Sequence, residues 1–241
     1  MKVRAAIFDV YGTLLEVGPA PSGADERWRE LFRDTLKSEP TLSRLDFSIA
    51  TNRAIALRHA DARARGIQYP EILWPSIVAE VLPGFSRLAA SVQDEFVFRQ
   101  IQIGRTTHLK PGVGYALQLL VNRGCVLGIA SNAQRYTLRE LQEALTGNGA
   151  HFSQFDSALC IWSFENGFSK PDPHVFQILL ARLEARGISA AETLMIGDRL
   201  DNDIEPARAC GMQTWHLTTS GSSAPKSGNW EALANQLQHG W

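Results

Sequence analysis

Five short apolar runs, separated by segments of helical spacing, divide most of the chain into a repeating pattern of strand and helix. The runs cover residues 3–8, 125–130, 157–162, 193–196 and 212–217. Three of the helical segments end at a glycine, at Gly124, Gly187 and Gly211. Strands that alternate with helices in this way form a parallel sheet covered by helices on both faces. We therefore expect an α/β fold with a parallel five-stranded sheet.

A long helical segment lies between the first strand and the rest of this pattern. Residues 25–105 are rich in Ala, Arg, Glu and Leu, and no strand pattern interrupts them. Prolines and glycines at several positions divide the segment into a series of helices. We therefore expect a helical insert over residues 18–105, with the α/β core formed by residues 1–17 and 106–241.

Composition and charge exclude several classes of partner. The chain has 241 residues, 44% of them hydrophobic, and a net charge of -1, which gives no reason to expect binding to nucleic acid. No apolar run approaches the roughly 20 residues of a membrane span. The N-terminus lacks the apolar region of a signal peptide, and the three cysteines lie far apart. We therefore expect a cytoplasmic protein with no nucleic-acid or membrane partner.

Polar residues follow three of the predicted strands, and a lysine lies in the loop after a fourth. They are Asp9, the pair Ser131 and Asn132, Lys170, and Asp198. Taken singly, each has an ordinary explanation as a helix cap or a turn residue. Because the carboxyl ends of parallel strands meet at one edge of the sheet, we expect these side chains to converge there. The convergence predicts a functional site.

Four motifs, in this order, resemble those of the haloacid dehalogenase-like hydrolase superfamily. They are FDVYGTL at residues 8–14, ASN at 130–132, FSKPDP at 168–173 and IGDRLDNDI at 196–204. The resemblance implies a Rossmann-like three-layer α/β/α core whose five strands have the order 5-4-1-2-3 in sequence numbering. It also implies that the helical insert is a cap domain, although the insert itself carries no motif of the superfamily.

The resemblance assigns roles to the residues at the strand ends. Asp9 would be the nucleophile, because a carboxylate is ionised at neutral pH and needs no base to activate it. Ser131 and Asn132 would donate hydrogen bonds to oxygens of a small anionic substrate. Lys170 would balance the negative charge beside Asp9. Asp203 would orient that lysine or hold a metal-bound water.

The phosphatase branch of the superfamily implies a metal site at the same edge. Mg²⁺ would be held by Asp9, by Asp198 and by the backbone carbonyl of Tyr11, and oxygen ligands are those that Mg²⁺ prefers. Thr13, in the same motif, would lie close to these ligands.

Tyr11 departs from the phosphatase pattern. Phosphatases of the superfamily usually carry a second Asp at this position, as general acid and then general base, and proton transfer of this kind contributes about 10²–10⁴-fold in rate. A tyrosine has a pKa of roughly 10 and cannot act as such a base at pH 7. The L-2-haloacid dehalogenases, in contrast, carry Asp-x-Tyr-Gly-Thr, use no metal, and release a halide that needs no proton. The first motif therefore resembles a dehalogenase, and either the Tyr11 hydroxyl or a residue of the cap would have to replace the acid.

The last motif favours a phosphatase instead. An ionised Asp198 about 4 Å from Asp9 would be repelled by about 4 kcal/mol at an effective dielectric constant near 20, unless a cation lies between them. We therefore predict a Mg²⁺-dependent phosphatase that acts on a small phosphorylated metabolite through Asp9. Two alternatives stay open. One is a metal-free 2-haloacid dehalogenase, and the other is a weakly active relative that binds a phosphorylated ligand or a partner.

Overall fold

The computed structural model describes residues 3–218 and 226–239. Within them, the strands in chain order are β1 (Ala5–Phe8), β2 (Leu15–Gly18), β3 (Thr106–Leu109), β4 (Val126–Ser131), β5 (Phe155–Trp162), β6 (Thr193–Gly197), β7 (Gln213–Leu217) and β8 (Ser227–Gly228). The helices are α1 (Ala24–Leu36), α2 (Arg44–Ala64), α3 (Trp74–Val81), α4 (Ala90–Gly104), α5 (Val113–Asn122), α6 (Arg135–Thr146), α7 (Ser163–Asn166), α8 (Pro173–Glu184), α9 (Glu205–Ala209) and α10 (Trp230–His239). A π-helical turn covers Leu200–Ile204.

Over the described residues, the central sheet has six parallel strands in the order β5-β4-β1-β6-β7-β8. This confirms the α/β class, and the five predicted strands lie in the predicted order. The prediction of five strands was one too few, because β8 pairs with the outer side of β7. A strand of two residues is too short to show an alternating pattern in the sequence.

Strand β1 lies in the middle of the sheet and contributes side chains to both faces. Ala6 and Phe8 join the apolar cluster formed with α5, α6 and α10, whereas Ala5 and Ile7 join the cluster formed with α8 and α9. All four side chains are buried, which is the expected pattern for a strand covered by helices on both faces. The core is therefore a three-layer α/β/α arrangement with Asp9 at the end of its central strand.

The two connections between the core and the helical insert pair with each other. Strand β2 leaves the core, β3 returns to it, and the two form a separate antiparallel sheet. Neither strand is among the five that the sequence predicts. Because the two four-residue strands are separated by the whole insert, no local turn sequence marks their pairing.

Helices α1 to α4 pack around an apolar cluster of their own. Its aromatic members include Trp28, Phe32 and Phe96, and the ring centroids of Phe32 and Phe96 lie 5.4 Å apart. A separate cluster supports the division into a core and an insert over residues 18–105, which stays a prediction. In the part of the chain that the structure describes, no helix is both long and apolar enough to cross a membrane.

Candidate active site

Residues from three strands and one loop meet at the carboxyl edge of the sheet. Asp9 directly follows β1, Ser131 is the last residue of β4, and Asp198 directly follows β6. Lys170 lies in the loop before α8, and its ammonium group reaches Asp9. The predicted convergence therefore occurs at the position where open α/β sheets bind their ligands.

Lys170 is a buried cation shared by two carboxylates. Its side-chain nitrogen Nζ donates to Asp9 Oδ1 at 2.8 Å and to Asp203 Oδ1 at 2.5 Å, and the residue is only 3% exposed. Burial alone would lower the pKa of Lys170, but the two carboxylates raise that pKa on balance. The lysine is therefore charged, and the contact with Asp203 is the one expected of a residue that orients it.

The side chain of Asn132 forms hydrogen bonds with the backbone of the loop that carries Lys170. Its amide nitrogen Nδ2 donates to the backbone oxygen of Lys170 at 2.8 Å, and its oxygen Oδ1 accepts from the backbone nitrogen of Lys170 at 2.7 Å. These two bonds make it a positioning residue for Lys170, and the bond to substrate stays a prediction.

Ser131 presents an unsatisfied hydroxyl at the same edge. Its oxygen Oγ is buried and has no hydrogen-bond partner among the described residues. A buried polar group left in this way costs about 1–3 kcal/mol, so such groups usually have a partner. An oxygen of a bound anion would supply that partner, as the predicted role of Ser131 requires.

Three carboxylates at this edge form a cluster that suits a cation. Asp9, Asp198 and Asp203 each place one oxygen within 4.8 Å of the others. Burial and the nearby charge of Asp9 raise the pKa of Asp198, and burial raises the pKa of Asp203 against the opposing effect of Lys170. Lys170 neutralises only part of this negative charge. Carboxylate oxygens are ligands that Mg²⁺ prefers, so the residues present fit the predicted ion.

The loop after Asp9 packs directly against Asp198. The hydroxyl of Thr13 donates to Asp198 Oδ1 at 3.3 Å, so Thr13 lies beside a predicted metal ligand. Gly12 has a φ of +80°, and a Cβ atom at this position would overlap the carboxylate of Asp198. Glycine is therefore required at position 12 both for its backbone conformation and for the close approach of Asp198.

We expect Gly12→Ala to destabilise the protein more than Gly23→Ala does. Both glycines have positive φ, so both alanines are strained, but a Cβ at Gly23 would meet nothing within 4 Å. The overlap with Asp198 should add about 1–3 kcal/mol at Gly12 alone. Urea unfolding of the two variants measures this difference, and equal losses would contradict the packing described here.

The side chain of Tyr11 is held by a buried polar cluster. Its hydroxyl donates to the carboxylate of Glu140, accepts from Arg105 Nη2 at 2.6 Å, and lies 2.8 Å from the Thr137 hydroxyl. One donor and two acceptor sites are all that a tyrosine hydroxyl has. The hydrogen-bonding capacity of the Tyr11 hydroxyl is therefore taken up within the protein, and its catalytic role stays a prediction. The role of its backbone carbonyl stays a prediction.

Glu140 is the centre of this cluster. Its side chain is fully buried and accepts from Arg105 Nη2 at 2.7 Å, from Arg105 Nε at 3.3 Å and from Gln102 Nε2 at 2.8 Å. Burial raises the pKa of the Tyr11 hydroxyl far above its usual range, although Arg105 acts in the opposite direction, so the hydroxyl stays protonated at neutral pH. Gln102 and Arg105 lie at the end of the insert, so the cluster joins the insert to the core.

Sequence reasoning missed Glu140 and Arg105. A pattern for Glu140 exists, because Thr137 and Glu140 stand three residues apart on the same face of α6 as the buried Leu141 and Leu145. A carboxylate on an apolar helix face needs a buried partner. Nothing in the sequence identifies Arg105 as that partner.

A segment of the insert, residues 69–74, also contacts the loops that carry the site, and we call it the docking segment. Gln134 Nε2 donates to Glu71 Oε1 at 3.1 Å, and the Ser163 hydroxyl donates to Glu71 Oε2 at 2.6 Å. The backbone nitrogen of Ser169 donates to the Tyr69 oxygen at 2.9 Å. The docking segment therefore touches both the loop after β4 and the loop that carries the lysine.

A model of the haloacid dehalogenase-like hydrolase family matches residues 3–211. The chain belongs to this family. It is therefore a hydrolase, and the motif resemblance is confirmed. Among curated relatives, the phosphoglycolate phosphatase of Xanthomonas campestris pv. campestris (strain 8004) is 27% identical over 213 residues, which cover 87% of this chain and 80% of that protein.

Solved structures of the family share the fold. A haloacid dehalogenase-like phosphatase from Thermococcus onnurineus aligns with a TM-score of 0.55 at 20% identity, over 99% of this chain and 97% of that one. A 2-haloacid dehalogenase from Pseudomonas syringae pv. Tomato DC3000 aligns with a TM-score of 0.59 at 19% identity, over 98% and 99%. Proteins named as a phosphatase and as a dehalogenase thus share this architecture, so the fold alone does not distinguish the two reactions.

Proposed function

We propose that the protein is a Mg²⁺-dependent phosphatase that cleaves a small phosphorylated metabolite through a covalent phosphate on Asp9. The observation that carries this proposal is the position of Asp198 in one carboxylate cluster with Asp9. A cation relieves the repulsion between these groups, whereas an anionic substrate in a metal-free site would add to it. The phosphatase relative from Xanthomonas supports the same reaction class.

In the first step, each residue at the edge of the sheet has a different role. An oxygen of Asp9 attacks phosphorus, and the bond from phosphorus to the leaving oxygen breaks. Lys170 fixes one oxygen of Asp9 and balances charge that develops on the phosphoryl group. Ser131 donates its unpaired hydroxyl to a phosphoryl oxygen. Asp203 acts through Lys170, as a positioning residue.

Asp9 and Asp198 would hold the Mg²⁺ ion, with the Tyr11 carbonyl as a further ligand. When bound, the ion would offset the negative charge of the phosphoryl oxygens.

The helical insert over residues 18–105 serves in this proposal as a cap that excludes water and selects the substrate. The bonds of Glu71 to Ser163 and Gln134 support this role, because they join the insert to the loops that surround the site. A cytoplasmic location fits a small phosphorylated metabolite as substrate, and it belongs to the same proposal.

Removal of metal tests the proposal. We expect inorganic phosphate to be released from members of a panel of phosphorylated metabolites in the presence of Mg²⁺. Treatment with EDTA should lower this turnover by about 10²-fold or more, because the carboxylate cluster then repels the anionic substrate, and added Mg²⁺ should restore it. Equal turnover with and without EDTA would contradict the proposal.

A second candidate is a metal-free 2-haloacid dehalogenase, which the tyrosine at position 11 favours. In that reaction Asp9 attacks carbon and a halide leaves without a proton. Halide release from 2-chloropropionate, unaffected by EDTA, would establish it in place of the phosphatase. The carboxylate of Asp198 opposes it, because a haloacid is itself an anion.

A further inference from the structure

Glu71, in the docking segment, is an acidic residue of the insert that binds neutral donors instead of a basic side chain. Its oxygen Oε1 accepts from Gln134 Nε2 at 3.1 Å and from the backbone nitrogen of Ile72 at 2.9 Å, and Oε2 accepts from the Ser163 hydroxyl at 2.6 Å. Within the described residues, Glu71 forms no ion pair with a lysine, arginine or histidine. Two of its three bonds go to the core, and bonds to a charged acceptor are the stronger kind, so this carboxylate links the insert to the core.

Glu71 holds the docking segment against Gln134, a buried side chain in the loop after β4. Besides its bond to Glu71, Gln134 Nε2 donates to the Ile72 oxygen at 2.7 Å, and Gln134 Oε1 accepts from the backbone nitrogen of Trp74 at 2.9 Å. Both hydrogens of this amide nitrogen are therefore in use, and the orientation of the amide is fixed. The carboxylate and the amide together fix the backbone of the docking segment from Ile72 to Trp74.

The other end of the docking segment pairs with the loop that carries the lysine. Two backbone hydrogen bonds, of 2.9 and 3.0 Å, join residues 69–71 to residues 167–169 in an antiparallel arrangement. In the shorter of the two, the nitrogen of Ser169 donates to the oxygen of Tyr69. Bonds of this kind hold two extended segments in register. The insert thus supports the chain on the residues directly before Lys170.

The backbone around Lys170 is therefore held from two sides. On the core side, Asn132 forms two hydrogen bonds with the backbone of Lys170, and on the insert side the docking segment bonds to the preceding residues. The ammonium group has to reach Asp9 at 2.8 Å and Asp203 at 2.5 Å at the same time, which leaves the loop little freedom. A displacement of about 1 Å caused by a distant substitution can cost about 10²-fold in rate.

We infer that Glu71 is a positioning residue for Lys170. Its carboxylate fixes the docking segment against the core, and the backbone of that segment sets the position of the lysine loop. This inference rests on the proposed phosphatase function, and it adds a residue of the insert to those on which the reaction depends. Because Lys170 acts on charge that develops at the phosphoryl group, loss of Glu71 lowers kcat rather than raising KM.

Glu71→Ala tests this inference in the full chain. With Mg²⁺ and the best substrate of the panel, we expect kcat to fall by about 10- to 10²-fold, while KM changes by less than about threefold. Hydrogen exchange, followed by mass spectrometry, should become at least about tenfold faster in the peptide that contains residues 167–169, with exchange in the central sheet unchanged. Glu71→Gln keeps one of the two acceptor oxygens, so its kcat should lie between those of Glu71→Ala and the wild type.

Glu95→Ala is the matched control, because Glu95 also joins the insert to the core, but away from the lysine loop. It pairs with Arg139 of α6 at 2.7 Å, and Arg139 keeps Glu143 as a second partner, so kcat and exchange should stay close to the wild type. Similar falls of kcat in both alanine variants, a rise of KM with kcat unchanged, or unchanged exchange at residues 167–169 in Glu71→Ala would overturn the inference. If no substrate of the panel releases phosphate with Mg²⁺, the proposed function fails instead, and the exchange measurement alone decides whether Glu71 holds the loop.

Discussion

Asp9→Asn abolishes phosphate release, with kcat lowered by at least about 10⁴-fold, if Asp9 is the nucleophile. An amide oxygen carries no negative charge and forms no stable ester with phosphorus. The variant should still fold, because the asparagine oxygen can accept the hydrogen bond from Lys170 Nζ that Asp9 accepts at 2.8 Å. Release of inorganic phosphate, measured with the best substrate of the panel, gives the change in kcat.

Asp201→Asn is the matched control for this prediction. Asp201 belongs to the same motif as Asp198, but its side chain is exposed and pairs with Arg199 at 2.6 Å. An exposed ion pair of this kind contributes little, so turnover should stay close to that of the wild type. More than a tenth of the wild-type turnover in Asp9→Asn would exclude Asp9 as the nucleophile. A fall of similar size in both variants would show that the effect is not specific to Asp9.

Glu140→Ala lowers the free energy of unfolding by about 3–5 kcal/mol, because it leaves a largely buried charge without its partner. The side chain of Arg105 is only 22% exposed, and its guanidinium has Glu140 as its carboxylate partner, 2.7 Å away. The Tyr11 hydroxyl and the Gln102 amide lose their acceptor in the same substitution. A loss of this size is a large part of the stability of an ordinary domain. Urea unfolding with a common m-value for both proteins measures it.

Glu143→Ala provides the comparison on the same helix. Glu143 pairs with Arg139 at 2.9 Å on the surface, where both side chains are about half exposed. Its removal should change the free energy of unfolding by less than about 0.5 kcal/mol. Similar losses in Glu140→Ala and Glu143→Ala would mean that the buried cluster around Tyr11 adds no stability of its own.

The strand-end residues were predictable because the information that places them is local. Apolar runs end at Asp9, Ser131 and Asp198, and the topology of a parallel sheet brings the ends of such runs together. Lys170 needed the motif resemblance as well, since it lies in a loop rather than at a strand end. The contacts of Lys170 with Asp9 and Asp203 agree with the roles that the resemblance assigns to these residues.

The cluster around Tyr11 was not predictable in this way. Glu140 and Arg105 are 35 residues apart, one on a core helix and one directly after the last helix of the insert. Their contact depends on how the insert packs against α6, and local spacing carries no information about that packing. The same reason applies to the pairing of β2 with β3 across the whole insert. Sequence reasoning therefore located the reacting groups but left the side chain of Tyr11 without its partners.

In the proposed phosphatase, the docking segment would couple release of the product to the side chains that bind the anion. Residues 69–74 bond to Gln134, which follows the Ser131 loop, and to Ser169, which precedes Lys170. A rotation of the insert away from the core would break the hydrogen bonds to both loops at the same time. Release of inorganic phosphate and displacement of the side chains that bind it would thus occur in a single motion. Tighter binding of the anion would then make release of phosphate slower.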